Sequence, residues 1–406
     1  MTAAATPVRS RLVFVLGALA MFGPFSIDTV FPAFGQMASD LGTDAVSIQQ
    51  TISSYLLGYG LMSLFHGAIS DAIGRRPVIL VGIALFVLAS IGCALAPDLP
   101  TLLFFRTLQG LCAGVGLIVG RAVIRDSVDG EDAQRLMSQV SMIFSIAPAV
   151  APIVGGWILG FADWHAIFWF LAALGAALWL FTFVALPETH PAERRLPLNA
   201  RVLVGNYWAM LRHRRFIWLV AVTTLNFAAL FLYISSAPVF VMQHLGLNEQ
   251  QFGWFFAPVI SGMMLGAYTT GRGAGRFSAH SMVRAGFLFS LVGVLLNVAY
   301  AGFAPAFVFP WAVLPLIVVS FGVALVFPLL IIQMLDLYPT QRGSASSMQA
   351  FLSLMFQAGV AGLLSPLLAS SPMHLALAAF ALSASAFSLW VIGNAVARKN
   401  AALFAG

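Results

Sequence analysis

The sequence predicts an all-α integral membrane protein in which twelve transmembrane helices form two six-helix bundles related by pseudo-two-fold symmetry. Three observations predict this fold: the composition, the length of the apolar runs and the distribution of the positive charges. Of the 406 residues, 60% are hydrophobic and 8% are charged, whereas a soluble domain carries about 25% charged residues. A chain of this composition would expose a large apolar surface to water, so we expect its solvent to be lipid.

Twelve apolar runs are long enough to cross a bilayer, which takes about 20 residues in a helix. We interpret each run as a helix because a helix satisfies its own backbone hydrogen bonds in lipid. The first run is longer than the apolar region of a signal peptide, about 7–15 residues, so we expect it to be retained. The runs cover residues 12–34, 50–69, 77–97, 101–123, 136–160, 165–186, 216–242, 252–271, 281–304, 310–334, 345–369 and 373–396.

The positive charges predict the orientation of these spans. With the N-terminus placed inside the cell, nineteen of the 20 Lys and Arg residues lie on the inner side, and the outer loops contain none. The remaining cation, Arg106, lies within the fourth run. The positive-inside rule therefore predicts a multi-pass protein of the bacterial inner (cell) membrane with both termini in the cytoplasm. The same rule explains the net charge of +6 without a nucleic-acid partner.

The longest polar stretch divides the chain into two halves of six spans each. We expect an N-terminal six-helix bundle over residues 1–186, a basic cytoplasmic linker over 187–215 with a short amphipathic helix near Leu198–Leu211, and a C-terminal six-helix bundle over 216–406. Two such halves are typical of transporters built from parallel repeats, with a site between the repeats. We expect the protein to act as a monomer. The two cysteines lie within apolar runs and lack the C-x-x-C spacing of metal sites, so no metal is expected.

The loop between the second and third runs carries the most specific local pattern. It reads Gly-x-x-x-Asp-x-x-Gly-Arg-Arg over residues 67–76. This pattern resembles the signature loop of the major facilitator superfamily, G-x-x-x-D-x-x-G-R-R/K, with Ala72 at a position where many members carry Arg. The resemblance implies a conformational switch in which an acid after the fourth run is the partner of the loop. The switch residues would be Asp71, Gly74, Arg75 and Asp126.

Two further segments resemble motifs of the same family. Residues 106–110 match the family pattern R-x-x-Q-G, and residues 148–156 resemble the antiporter motif with core G-P-x-x-G-G, where Ala151 replaces the first Gly. A charge within a span costs about 2.5–3.5 kcal/mol on insertion scales, so Arg106 should face protein or water. The alternative for Arg106 is an interfacial side chain that snorkels outward. The alternative for the second segment is a proline-kinked helix, whereas its resemblance favours proton antiport and implicates Pro148, Pro152, Gly155 and Gly156.

Asp28 is the only acidic residue well inside an apolar run. An intramembrane carboxylate is by default a functional group, and the alternative is a hydrogen-bonded structural residue near the outer interface. Residues 26–32 resemble the S-x-D-x-x-x-P segment of the Bcr/CflA-type (bicyclomycin/chloramphenicol resistance) exporters. We expect Asp28 and Arg106 to lie opposite each other in the middle of the membrane and to couple transport to protons.

Other polar side chains within the runs are candidates for substrate contacts, and for each the alternative is an interhelical hydrogen bond. Tyr55 and Tyr59 recur at i and i+4 and therefore share one face of their helix. The candidate substrate-binding residues are Asp28, Tyr55, Tyr59, Gln109, Asn226, Tyr233 and Gln357.

The resemblance implies a proton-coupled multidrug efflux antiporter that exports small hydrophobic or amphipathic compounds by alternating access. It would need no cofactor, because one proton moving inward gains about 2.3 kcal/mol per 100 mV. Its partners would be a small-molecule drug, protons and the lipid bilayer. Proton-coupled transport of a natural metabolite such as a purine, an amino acid or a sugar remains the alternative. An enzyme is not expected because no H-E-x-x-H pattern or pair of carboxylates is present, and a channel would need a selectivity loop or an acidic ring.

Overall fold

The computed structural model describes the backbone of residues 5–128, 130–195, 197–273, 275–304 and 306–404. It describes the side chains of the same residues except 5–10, 130, 131, 133–135, 138, 145 and 398–404. Throughout these ranges the regular structure is helical, and no strand occurs in them. Twelve segments are long and apolar enough to cross a membrane. The prediction of an all-helical fold with twelve spans is therefore confirmed.

Helices of the first half follow one another with short connections. They are α1 (Ala5–Asp28), α2 (Phe34–Asp40), α3 (Ala45–Ile48), α4 (Gln50–Ile73), α5 (Arg75–Ala94), α6 (Leu99–Ala113), α7 (Val115–Ser127), α8 (Gly130–Leu159) and α9 (Trp164–Ala185). Aspartates at the N-caps fix where several of them begin. Asp98, for example, accepts a hydrogen bond from the Thr101 N–H, and this bond lowers the pKa of its exposed carboxyl.

Helices of the second half begin with the short helix of the linker. They are α10 (Ala200–Arg212), α11 (Arg214–Ser235), α12 (Ala237–Val239), α13 (Gly253–Gly273), α14 (Ala279–Phe303), α15 (Leu314–Leu335), α16 (Arg342–Gly359), α17 (Ser365–Leu368) and α18 (Pro372–Phe404). Helix α10 lies where the sequence predicts an amphipathic helix. Two π-helical turns, Phe240–His244 and Val360–Leu364, follow α12 and α16.

The chain divides into two compact units. The first contains residues 1–202, 248–253 and 350–358, and the second contains residues 203–247, 254–349 and 359–406. In the first unit, α1 packs on α7 and α8, α4 packs on α6, and α5 packs on α9. In the second unit, α14 packs on α15 and α18, and α11 packs on α15 and α18.

Glycines allow the helices of the first unit to approach very closely. A Cβ atom at Gly110 of α6 would collide with the Tyr55 carbonyl of α4, and one at Gly58 of α4 would collide with the Thr107 carbonyl of α6. Small residues at such crossings are typical of membrane proteins, because lipid offers no hydrophobic force that would drive helices together. The backbone contact of α4 with α6 sets the position of the polar side chains that these two helices carry.

The first span contains a break that the sequence reading did not predict. Helix α1 ends at Asp28, a 3₁₀ turn covers Phe31–Ala33, and α2 begins at Phe34. Pro32 explains the break, since it has no N–H to donate to the carbonyl of residue 28 and its ring disfavours a continuous helix. The break places Asp28 at the C-terminal end of α1, within the first span.

Candidate functional site

Asp28 is buried, with 6% of its surface exposed. Its carboxylate makes no hydrogen bond or ion pair with any residue that the structure describes. A buried carboxylate without a partner is unfavourable, so a proton or a ligand that donates hydrogen bonds would stabilise it. The alternative interpretation of Asp28 as a hydrogen-bonded structural residue therefore has no hydrogen bond to support it among the described residues.

Arg106 of α6 is fully enclosed, with 1% of its surface exposed. Its guanidinium donates to the carbonyls of Thr51 and Ser26, both at 3.3 Å, and to Gln109 Oε1 at 2.9 Å. It also lies over the ring of Tyr55, 4.6 Å from the centroid, which is within the range of cation–π attraction. Outward snorkelling of Arg106 is wrong, because the side chain is buried among these groups.

Arg106 and Asp28 are both buried in the first unit, but the expected opposition of the two charges does not take the form of an ion pair. Within the described residues, the two side chains form no ion pair. Arg106 instead reaches the backbone of α1 at Ser26, two residues before Asp28. The physical reason is that the carbonyls, the Gln109 amide and the aromatic ring already satisfy the guanidinium. Arg106 therefore contacts the helix that carries the acid rather than the acid itself.

A hydrogen-bonded network continues from Arg106 to neighbouring helices. Gln109 accepts from Arg106 and donates through Nε2 to Ser90 Oγ at 2.8 Å, which links α6 to α5. The Tyr55 hydroxyl lies 2.6 Å from Ser26 Oγ and donates to the Gly23 carbonyl at 2.9 Å, which links α4 to α1. Tyr55 and Gln109 thus make the interhelical hydrogen bonds that were the alternative to substrate contacts.

Tyr59 lies one turn after Tyr55 on α4 and is also buried, with 8% exposed. Its ring packs against Gly114, where a Cβ atom would come 2.6 Å from the ring. The two tyrosines share one face of α4, as their spacing predicts. The Tyr55 ring lies against Arg106, and the Tyr59 ring lies against Gly114, the residue between α6 and α7.

The antiporter-like segment lies within α8, which contains Pro148 and Pro152 in its interior. The next two positions of the motif are Gly155 and Gly156. A Cβ atom at Gly155 would collide with the carbonyl of Thr29, which is the residue after Asp28. The segment therefore packs directly against the break in the first span, and its small residues permit that contact.

The signature loop forms a compact charged cluster. Arg75, 6% exposed, contacts Asp71 in an i,i+4 ion pair and donates through Nε to Asp126 at 2.9 Å. Gly74 has φ +108°, a conformation that side chains rarely adopt, and it turns the chain between α4 and α5. The four residues predicted as a conformational switch, Asp71, Gly74, Arg75 and Asp126, therefore lie together.

Glu188 is a member of this cluster that the sequence analysis missed. Its carboxylate accepts hydrogen bonds from the backbone N–H groups of Arg75 at 3.1 Å and of Arg76 at 3.3 Å. Free N–H groups at a helix N-terminus attract an anion, and α5 begins at Arg75. The available signal was a carboxylate directly after the sixth span, at the start of a segment in which arginines outnumber acids.

The remaining candidates for substrate contacts differ in their surroundings. Asn226 of α11 and Gln357 of α16 are buried, with 1% and 3% exposed, and neither side-chain amide has a hydrogen-bond partner among the described residues. Tyr233 of α11 accepts a 2.5 Å hydrogen bond from Asn297 Nδ2 of α14, a residue that the sequence analysis did not select. Asn226 and Tyr233 belong to the second unit, and Gln357 belongs to the 350–358 segment of the first.

Comparison with known proteins places these features in a family context. The sequence model described as "Major Facilitator Superfamily" matches residues 13–366. The chain is 36% identical over 280 residues to an uncharacterized MFS-type transporter, YdgK, of Bacillus subtilis, covering 68% of this chain and 69% of that protein. It is 28% identical over 278 residues to a bicyclomycin resistance protein homolog of Haemophilus influenzae, covering 68% and 70%.

A multidrug resistance protein, MdtL, of Escherichia coli is 30% identical over 291 residues, covering 71% of this chain and 73% of that protein. Among solved structures, a D-xylose-proton symporter matches with a TM-score of 0.72 at 14% identity, covering 94% of this chain and 97% of the other. The human organic anion transporter MFSD10 matches with a TM-score of 0.67 at 19% identity, covering 94% and 99%. At these identities the two structures support the fold alone.

Proposed function

Because the chain belongs to the major facilitator superfamily, we propose that it is a proton-coupled multidrug efflux antiporter that works by alternating access. Its substrates would be small hydrophobic or amphipathic compounds of the chloramphenicol or bicyclomycin kind. Membership in the family makes the chain a multi-pass membrane transporter of small molecules and not an enzyme. Export of drugs is supported by relatives that are named as bicyclomycin and multidrug resistance proteins.

The observation that carries the proposal is the buried carboxylate of Asp28 at the break of the first span, which has no partner among the residues that the structure describes. A proton or a ligand that donates hydrogen bonds would stabilise such a group, and we propose that the two compete for it. Its neighbour Thr29 is in backbone contact with Gly155 of the antiporter-like segment. Competition between proton and drug at this carboxylate would couple their movements in opposite directions.

In the proposed cycle, drug binding from the cytoplasm displaces the proton of Asp28, and the loaded protein opens outward. Protonation of Asp28 from the outside then weakens drug binding and permits the return, which releases the proton inside. Each proton contributes about 2.3 kcal/mol per 100 mV to the export, so no cofactor is needed. Arg106 would transmit the change in protonation of Asp28 from α1 to α4, because its guanidinium donates to the backbone of α1 at Ser26 and of α4 at Thr51.

Two further assignments belong to the same proposal. The cluster of Asp71, Gly74, Arg75 and Asp126 would serve as the conformational switch by breaking its ion pairs in one state of the cycle. Asn226 and Gln357 are the strongest candidates for substrate contacts besides Asp28, since a ligand could satisfy their unpartnered amides. We propose that the protein performs this cycle as a monomer.

The test is drug-induced proton movement in inverted membrane vesicles that contain the full chain. Asp28→Asn should abolish proton release upon drug addition while protein yield and thermal stability stay unchanged, because Asn keeps the shape of the side chain and loses its charge. The matched control is Asp98→Asn, which alters an exposed helix cap with a residue that also caps helices. Drug-induced proton release in Asp28→Asn at the wild-type rate would contradict the assignment.

A panel of substrates separates drug export from the metabolite alternative. Cells that express the protein should gain tolerance to several antibiotics or dyes, and a protonophore should remove that tolerance. The panel includes purines, amino acids and sugars. Transport of one of these natural compounds without any change in antibiotic tolerance would favour the metabolite transporter, even if Asp28 proved essential.

A further inference from the structure

A groove at the beginning of α11 is a candidate binding site that the transport cycle does not use. Its volume is about 390 Å³. The groove lies entirely within the second unit, between the end of α10, the first turns of α11 and one position of α18. Its lining includes Arg212, Arg214, Ile217, Trp218, Ala221 and Leu389.

The groove has a charged end and an apolar length. Arg212 ends α10 and Arg214 begins α11, whereas Ile217, Trp218 and Ala221 follow along α11. At 1.5 Å per residue, the distance along the helix from the first arginine of α11 to Ala221 is about 10 Å. A molecule that fills the groove would therefore present an anionic group at one end and an apolar chain along the helix.

The apolar side of the groove is held in place by a hydrogen bond between α11 and α18. Trp218 donates through Nε1 to the Leu389 carbonyl at 2.7 Å, which ties α11 to α18. The indole ring occupies the space that a side chain at Gly393 would need. Apolar side chains next to the groove on α18 are exposed, including Ile392 at 59% and Val396 at 54%. In a protein that spans a membrane, such a surface faces the acyl chains of lipids.

The positive charge at the end of the groove has no acidic partner in the part of the chain that the structure describes. Neither Arg212 nor Arg214 forms an ion pair with any residue that the structure describes. Arg212 lies over the ring of Trp208, 4.8 Å from the centroid, which leaves its donors available. Asp336, on the loop whose Tyr338 contacts the N-cap residue of α11, is already paired with Arg342. The two exposed guanidinium groups are therefore available to an anion from outside the protein.

Helix α10 indicates the depth of the charged end. It buries Tyr207 and Met210 against the protein and exposes Val204 at 63% and Trp208 at 55%. An amphipathic helix with exposed Trp and basic residues lies in the plane of the interface, at the level of the lipid headgroups. The arginine at the end of α10 is therefore expected at the depth of lipid phosphates.

We propose that this groove binds one anionic glycerophospholipid of the inner leaflet, with its phosphate on Arg212 and Arg214 and one acyl chain along α11. Guanidinium groups match phosphate oxygens in charge and geometry. Lipid tails are as apolar in the bilayer as in the groove. Selection among lipids must therefore come from the headgroup, so an anionic lipid is preferred to a zwitterionic one. The site is separate from the buried network of the first unit and does not depend on the transport assignment.

The experiment measures lipid retention by the purified full chain, by native mass spectrometry during titration with phosphatidylglycerol or phosphatidylcholine. Wild-type protein should bind one phosphatidylglycerol in preference to phosphatidylcholine of the same chain length. Arg212→Gln together with Arg214→Gln should weaken phosphatidylglycerol binding about 25-fold, since each cation near an anionic headgroup contributes about fivefold. Wild-type affinity in this double variant would overturn the proposal.

Two further variants distinguish lipid binding in the groove from nonspecific attraction of anionic lipid by the positive charge of the linker. Arg201→Gln together with Arg215→Gln removes the same charge from exposed positions outside the groove. This variant should bind phosphatidylglycerol within about threefold of wild type, and an equal loss would show that only net charge matters. Ala221→Phe narrows the apolar length without changing charge and should weaken binding at least tenfold, whereas unchanged binding would exclude the groove.

A soluble headgroup completes the test. Glycerol phosphate at millimolar concentration should not displace the bound lipid, because it lacks the chain that packs along α11. Displacement at concentrations comparable to those of the lipid would identify a simple phosphate site and overturn the assignment of a lipid. The melting temperature of every variant in detergent identifies any that fail to fold, and the Arg and Ala221 variants test the proposal independently.

Discussion

Arg106 shows how a single charge can be held inside a membrane protein without a countercharge beside it. Its guanidinium is satisfied by the carbonyls of Ser26 and Thr51, by the Gln109 amide and by the Tyr55 ring. Each of these groups offers partial negative charge, and none of them changes its charge with pH near neutrality. The arrangement links α1, α4 and α6 and takes no part in an ion pair with Asp28 within the described residues.

A substitution of Arg106 should separate stability from transport. In Arg106→Met, an apolar side chain of similar length replaces a buried cation, and the Gln109 oxygen loses its donor, which costs about 1–3 kcal/mol. We expect a modestly lower melting temperature in detergent, with the protein still folded, together with complete loss of proton-coupled efflux. Thermal unfolding and vesicle transport are measured on the same preparation.

The matched control is Ser261→Ala, at an exposed helical position of the second unit. This variant should leave the melting temperature and the efflux rate unchanged. Efflux at the wild-type rate in Arg106→Met would show that the guanidinium has no part in transport. A large drop in melting temperature would show that the network stabilises the fold instead.

At the scale of helices, close packing rather than hydrophobicity sets the geometry of the site. The carbonyl of Tyr55 lies where a Cβ atom of Gly110 would be, so α4 and α6 touch through their backbones. That contact brings Tyr55 and Arg106 to their observed separation. A shift of either helix would therefore change the hydrogen bonds and the cation–π contact of Arg106.

Gly110→Ala should destabilise the protein and displace the network. Overpacking of a well-filled contact costs about 1–3 kcal/mol, so we expect a lower melting temperature and slower efflux. Gly205→Ala is the matched control, because nothing lies within 4 Å of its added Cβ atom and alanine is favoured over glycine in a helix by about 0.5–1 kcal/mol. The control should melt at the same or a higher temperature. Equal behaviour of the two variants would refute the close contact.

Most of the helices and the charged cluster can be predicted from the sequence, and the features that cannot have physical reasons. The spans follow from apolar length, and the charged cluster around Arg75 follows from a local motif and the positive charges. The break after Asp28 is harder to predict, because the apolar run continues through Phe31 and proline occurs within many membrane helices. Glu188 was missed because its partners are backbone N–H groups far away in the sequence, and no side-chain pattern marks them.

The position of Asp28 opposite Arg106 was expected from their charges, and among the described residues the two form no ion pair. The structure shows neutral groups around the guanidinium instead. The sequence tells which residues are charged. It does not tell which backbone carbonyls lie near a charge, because that depends on how the helices pack. This is why the members of the site could be selected from the sequence while their contacts could not.

At the scale of the whole molecule, orientation is the property with the widest consequences, since the proton direction and the leaflet of the lipid site both depend on it. The positive-inside rule predicts that the outer loops include residues 98–100 and 305–309. Alkaline phosphatase inserted at 98–100 should be active, because it folds outside, and a fluorescent protein at the C-terminus should fluoresce, because it folds inside.

Alkaline phosphatase inserted in the linker near residue 197 is the control and should be inactive. The reverse pattern of activity would invert the predicted topology. It would also move the groove of the second unit to the outer leaflet and reverse the direction of export.

The neutral surroundings of Arg106 have an electrical consequence. A guanidinium held by dipoles keeps its charge in every step, whereas the carboxyl of Asp28 in the same helical bundle gains and loses one proton in the proposed cycle. The sum of these two charges therefore alternates between zero and plus one. In that proposed cycle the protonated carrier would return as a cation within the voltage drop across the bilayer, so the resting potential would accelerate the half of the cycle that carries no drug.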